Sequence, residues 1–280
     1  MPEHSLRTIA VALGGGGARG LAHIAVIEAL DDLGIKPAVI AGTSMGAIIG
    51  AAWAAGMSGR EIRAYVLALT RDRTKMMRGF MKARVGRFVD VLGGKFTNPV
   101  MVDGEKLLDI FWPRIVPDRF DQLQIPFVAV ATDYYARSTV TFDHGSLAPA
   151  VAASMAIPGL VRAIQLEGRV LYDGGITDPL PHRHLMGKGH FVIAVDVTGG
   201  PVDRGGLPPS AFAALLGASQ ILQGALSQEI LNATPPDLLL RPAVDHFRLL
   251  DFVRVTEILA AAEPVKEEVK RAVKIFTSSP

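Results

Sequence analysis

The stretch from Pro37 to Gly59, PAVIAGTSMGAIIGAAWAAGMSG, carries no charged residue and can be read in two incompatible ways. As a membrane span it is long enough to cross a bilayer, and Gly42, Gly46 and Gly50 recur at the spacing that lets two such helices approach closely. As a strand, sharp turn and helix it presents G-x-S-x-G, with Ser44 at the tip of the turn as a nucleophile. Composition favours the turn. The run is mostly Ala and Gly, with few of the Leu, Phe and Val side chains that supply transfer energy into lipid. Pro37, Val39 and Ile40 suggest a strand ahead of the serine, and small residues at 42, 46 and 47 are what a tight elbow demands.

The surrounding pattern gives the elbow a setting. Thr8–Leu13 is a short apolar run of strand formers that breaks at Gly14–Gly17. Leu21, Ile24, Ile27, Leu30 and Leu33 then recur at helical spacing and stop at Gly34. Ala38–Ala41 reads as a second strand and Ala47–Ala55 as a small-residue helix. Further strands are expected at 126–133, 138–143, 169–172, 191–197 and 237–241, and helices at 147–155 and 211–232 with two more closing the chain. Strands alternating with helices imply an α/β fold, a three-layer α/β/α sandwich on a mainly parallel central sheet. The Pro/Gly-rich loop at 201–210 does not separate two self-sufficient cores. One domain is therefore expected over 1–280, its motifs within about 8–200 and a strand and helices from 205 packed onto it.

Two further constellations bear on Ser44. Gly15, Gly17 and Gly20, between a strand and a helix, match the glycine spacing of a dinucleotide-binding turn. That fingerprint also needs an acidic residue at the tip of the next strand, and none occurs between Asp32 and Glu61. The same glycines suit another use: amides at a helix N-terminus stabilise negative charge, and a tetrahedral oxyanion needs such donors. Arg19 would add fixed charge or simply cover the turn. The serine also needs a base. His182, His184 and His190 follow Asp173 in triad order, although PHRH at 181–184 reads equally well as an exposed loop. The other candidate is Asp173 itself, at a strand end in VLYDGG, where Gly174 and Gly175 leave one side open. An isolated D-G-G is usually a turn; downstream of an elbow and a glycine loop it becomes a candidate base.

GGGGARG, GTSMG and DGG in this order, with RGLAHI, ASMAIPG and IAVDV flanking them, resemble the patatin-like phospholipases, specifically bacterial members related to the catalytic domain of neuropathy target esterase. The likeness runs from about Thr8 to Val197; beyond 205 it is looser and carries no site residues. It implies a Ser–Asp dyad lipid acyl hydrolase without a catalytic histidine or cofactor. Ser44 would be the nucleophile, Asp173 the base, and Gly15, Gly16 and Gly17, with Arg19 nearby, the oxyanion hole. Gly20, Gly42, Gly46, Gly174 and Gly175 would support these motifs. Where the family often has Asn-x-Pro, this chain has Thr177-Asp178-Pro179, which puts a second carboxylate near the pair. The partner implied is a phospholipid or lysophospholipid; a non-catalytic lipid-binding or regulatory protein on the same scaffold is the alternative.

Charge is informative only locally. The 280 residues carry a net +2, too little to imply nucleic acid, and the absence of cysteine excludes disulfides and thiolate metal sites. The apolar run near the N-terminus ends in four glycines and follows Glu3, a poor match to a signal peptide, so a cytoplasmic protein is expected. Between Arg71 and Lys95, however, eight basic residues face only Asp72 and Asp90, a local +6. Met77, Phe80, Met81, Val85, Phe88, Val89 and Leu92 share one helical stripe there. A basic amphipathic helix lying on an anionic membrane is one reading, and a surface helix packed on the core is the other.

Overall fold

A computed structural model of the chain describes residues 8–71, 84–85, 101–203 and 205–278. Its centre is an eight-stranded, mostly parallel sheet flanked by helices. The strands are β1 (Thr8–Leu13), β2 (Val39–Thr43), β5 (Phe127–Asp133), β6 (Ser138–Phe142), β7 (Ile164–Leu166), β8 (Arg169–Asp173), β9 (His190–Val195) and β10 (Leu238–Leu240). Two further two-residue strands, β3 (Arg84–Val85) and β4 (Met101–Val102), pair antiparallel with each other. Helices α1 (His23–Asp32), α2 (Met45–Ala54), α3 (Gly59–Arg71), α4 (Gly104–Phe111), α5 (Leu147–Ser154), α6 (Ala211–Ala233), α7 (Val255–Ala262) and α8 (Val265–Ser278) complete the fold.

Strand order is β10-β9-β1-β2-β5-β8-β7, with β6 on the other edge of β5. From β10 to β5 all neighbours are parallel, whereas β6, β8 and β7 are added antiparallel. β1 and β9 lie in the middle, which is why both read as continuous apolar runs. Alternate residues divide by size. Val11, Leu13, Ile40, Ile193 and Val195 enter the large core. Ala10, Ala12, Ala41 and Ala194 face a smaller one closed by Leu180, Leu185 and Leu231. The alanine face lets a thin cover, including the turn at Pro181–His184, sit directly on the sheet.

The 38–56 run is strand, elbow and helix, so the membrane-span reading does not hold. Among the described residues no helix is long and apolar enough to cross a membrane. The expected helix from Arg19 opens as a 3-10 turn, Gly17–Ala22, before α1 begins. Most of the basic segment 71–95 lies outside the described residues. Within it Arg71 ends α3, and Arg84–Val85 is a strand rather than part of a continuous helix, because its backbone pairs with Met101–Val102.

Candidate active site

One edge of β5 assembles the site. β2 runs parallel along the first part of that edge and ends with Thr43 opposite Val130. β8 arrives antiparallel along the remainder and ends with Asp173 opposite Ala131. Two strands of opposite direction therefore meet by their C-terminal ends on adjacent rungs, which places Ser44 and Asp173 together. Ser44 Oγ donates a 2.6 Å hydrogen bond to Asp173 Oδ2. Gly175 donates its N–H to Asp173 Oδ1 at 2.7 Å, which fixes the carboxylate plane. Burial pushes the Asp173 carboxyl up to about 6, against the two hydrogen bonds from Ser44 and Gly175 that favour its charged form.

Ser44 has φ 55° and ψ −120°, a left-handed conformation that a serine adopts only when its surroundings enforce it. The enforcement is visible on both sides. α2 packs so closely on the end of β1 that a Cβ on Gly46 would overlap the Leu13 carbonyl oxygen, and one on Gly42 would lie 2.5 Å from the Gly46 carbonyl. Gly20 abuts Met45, and Gly174 abuts the Val130 carbonyl. Ser154, at the end of α5, then locks the elbow to the strand. Its Oγ accepts the Ser44 N–H at 2.9 Å and donates to the Val130 carbonyl at 2.6 Å. Ser154 is a fully buried polar residue in the otherwise small and apolar run Leu147–Ala156, and no spacing in the sequence singles it out.

The glycine loop follows β1, between β2 and β9, where strand order reverses and ligand crevices form in α/β sheets. Its amides are not equivalent. Gly15 donates to the Pro179 carbonyl at 2.9 Å, so that N–H is already engaged, contrary to the expectation that it faces the reaction. Among the described residues the Gly16 and Gly17 amides have no acceptor, and both glycines line the cleft beside Ser44. Arg19 also departs from expectation. It is buried at 1% exposure, lines neither cavity, and donates to Gln220 Oε1 at 3.1 Å and weakly to the Phe247 carbonyl. Burial lowers its pKa only to about 10, so it stays a cation tying the glycine turn to α6. Behind the loop, His23 Nε2 donates to the Gly14 carbonyl at 2.8 Å. Full burial lowers this histidine to about 4, and it is neutral at physiological pH.

The remaining sequence candidates are dispersed. His182 is buried against the Leu180 and Thr234 carbonyls, and His190 bonds Thr8 Oγ1. His184 donates to Asp178 Oδ2. None of the three touches Ser44 or Asp173, so no triad forms. The second carboxylate, Asp178, is close in sequence but directed elsewhere: Arg183 and His184 hold its Oδ2 at 3.0 and 2.7 Å, and it lines neither cavity.

Ser44 and Gly17 lie where two cavities join. One, of about 420 Å³, is lined almost wholly by apolar side chains such as Ile48, Val66, Phe111 and Leu160. The other is a narrow cleft bordered by Asp173 and by Leu216, Ser219, Gln220 and Gln223 of α6. Beyond 205, where the resemblance carries no site residues, α6 nonetheless forms the polar wall of the cleft.

The sequence profile of the patatin-like phospholipases matches residues 11–186. An uncharacterized NTE family protein of Mycobacterium tuberculosis is 40% identical over 192 residues, which is 68% of this chain and 49% of that protein. Patatin-like phospholipase domain-containing protein 7 of Rattus norvegicus is 32% identical over 68% of the chain and 13% of its own length. Lysophospholipase NTE1 of Coccidioides immitis is 31% identical over 90% of the chain and 17% of its length. The chain thus spans about half the length of the mycobacterial relative and a small part of the others. VipD from Legionella pneumophila shares the fold, with a TM-score of 0.51 over 95% of this chain and 67% of that one at 13% identity. On the profile match and these identities, the chain belongs to the patatin-like phospholipase family.

Proposed function

We propose that the chain is a serine lipid acyl hydrolase that uses Ser44 and Asp173 as a two-residue centre and acts on phospholipids or lysophospholipids. The observation that carries this reading is the 2.6 Å Ser44–Asp173 hydrogen bond where an apolar cavity of about 420 Å³ joins the narrower cleft. A cavity of this size and lining suits an acyl chain, with the ester carbonyl at Ser44 and the polar remainder of the lipid toward Ser219, Gln220 and Gln223.

Asp173 Oδ2 takes the Ser44 hydroxyl proton as Oγ attacks the ester carbonyl. The Gly16 and Gly17 amides hold the resulting oxyanion, a role for which one lost donor typically costs about 3–4 kcal/mol of barrier. As the tetrahedral adduct collapses, the C–O bond to the alcohol breaks and Asp173 returns the proton to the departing oxygen. Water then attacks the acyl-serine, its proton passes to Asp173, and the fatty acid leaves as Ser44 recovers that proton. Pre-strain of the elbow and the bond from Ser154 keep Oγ aligned, so that little reorganisation accompanies attack.

Ser44→Ala and the parent protein should be compared on a soluble p-nitrophenyl ester and on lysophosphatidylcholine, alongside labelling by a fluorophosphonate. Loss of at least about a thousand-fold in activity and loss of the label are expected. Full activity in Ser44→Ala would refute the assignment. An unlabelled, inactive parent that still retains lipid would instead identify a binding protein on this scaffold.

A further inference from the structure

Helix α6 is apolar on the wrong side. Its inward face supplies Leu216, Ser219, Gln220 and Gln223 to the cleft. Its outward face over about three turns consists of Ala214, Leu215, Ala218, Ile221, Leu222 and Ala225, all exposed to solvent. The three large side chains are exposed at 73%, 59% and 70%. No charged residue occurs between Ala211 and Gln228. A surface helix of a globular protein normally turns a polar face outward, and one that is apolar all round is normally buried. This one is neither. Leu250 and Val253, which line the larger cavity, are also exposed, at 47% and 69%.

We propose that the outward face of α6 is a membrane-docking surface that rests in the interfacial layer of an uncharged (zwitterionic) lipid bilayer and holds the mouth of the Ser44 cleft against it. The proposal rests on the reading of Ser44 as a lipid hydrolase for its choice of lipid over protein, since α6 is at once the wall of the cleft and the exposed surface. Two more observations support that choice. The strip is small: the twelve residues Ala214–Ala225 give a face of roughly 18 by 10 Å, far below the roughly 800 Å² per partner of a stable protein interface. Over Ala211–Gln228 the helix itself contributes no charged side chain that would orient a protein partner or require anionic lipid. With its inner face committed to the cleft, α6 lies along the membrane plane rather than through it.

The test uses the full chain carrying Ser44→Ala, so that binding is read without turnover, and vesicles of pure phosphatidylcholine. Flotation is expected for this protein, and the combined changes Leu215→Gln, Ile221→Gln and Leu222→Gln should lower its partitioning by at least about ten-fold, the equivalent of one well-buried leucine. With Ser44 intact, the triple variant should keep its rate on a soluble short-chain ester within about two-fold and lose at least about ten-fold on vesicle lipid. A single Leu215→Trp should shift its emission to the blue on adding vesicles and be quenched by brominated lipid. Undiminished flotation of the triple variant overturns the proposal, as does binding that requires anionic lipid and vanishes in high salt. A parent dimer that the triple variant converts to monomer, with no flotation by either, overturns it in favour of a second copy. Docking without any esterase activity in the parent would sink the catalytic reading and leave the docking surface standing.

Discussion

Asp173, the proposed base, is buried at 6% exposure, and its environment fixes the pH at which it would serve. With its pKa raised to about 6, the carboxyl is ionised above that value and protonated below it. kcat/KM on a soluble ester should therefore be level above about pH 7 and fall about ten-fold per unit below pH 6. A profile that stays flat down to pH 4.5 would show that Asp173 is not the base. The Ser44 hydroxyl lowers the carboxyl by hydrogen bonding to its charged form, so Ser44→Ala should titrate Asp173 at a higher pH still. Ser44 and Asp173 were both legible as residues, because each sits in a motif whose glycines announce a turn. Ser154 was not, since a lone serine in an apolar helix carries no signal until its two partners are known.

At the level of elements, the elbow depends on contact between α2 and the end of β1. Gly46→Ala would drive a methyl group into the Leu13 and Gly14 carbonyls. A destabilisation of about 1–3 kcal/mol is expected, measured by urea unfolding, together with loss of soluble-ester activity as Ser44 is displaced. Unchanged stability in this variant would mean that α2 is not seated as described. Most elements near the motifs were readable from sequence: β1, β2, β5, β6, α5, β8 and β9 fall within two residues of their expected positions. Most of their apolar runs have a glycine or proline at one end at least. The direction of β8 was not readable. Five residues, Arg169–Asp173, carry no mark of whether they run with or against β5, because direction is set by which edge remains open when they arrive. The polar wall supplied by α6 was equally hidden, since Ser219, Gln220 and Gln223 match no motif and gain meaning only by facing Ser44.

Across the whole molecule, two buried groups set opposing pH dependences of stability. Unfolded, Asp173 would titrate near 3.9, so above about pH 6 the folded state holds a carboxylate it disfavours, at a cost of about 3 kcal/mol. His23 works the other way: between pH 6.5 and about 4 the unfolded chain takes up a proton that the folded one refuses, and stability falls as pH drops. In the parent the two slopes largely offset between pH 4 and 6. Asp173→Asn should be more stable than the parent at pH 7.5, by up to about 3 kcal/mol, and should weaken steadily below pH 6.5. Thermal unfolding of both proteins across pH 4–8 checks this; equal melting temperatures at pH 7.5 would contradict it. The whole-chain architecture was legible in outline, as alternating strands and helices. The unequal covering of the sheet was not, because it follows from the alanines at 10, 12, 41 and 194 sharing a face only once the strands are in register.

The head-on meeting of β2 and β8 also has a consequence in time. Ser44 and its acceptor are separated by 129 residues, which at ribosomal rates is roughly 6 to 26 s of synthesis. Throughout that interval a growing chain carries Ser44 without the carboxylate proposed as its base, and Ser154, which locks the elbow, arrives 110 residues after Ser44. On the proposed dyad, a chain ending before Asp173 lacks its base and should not hydrolyse esters.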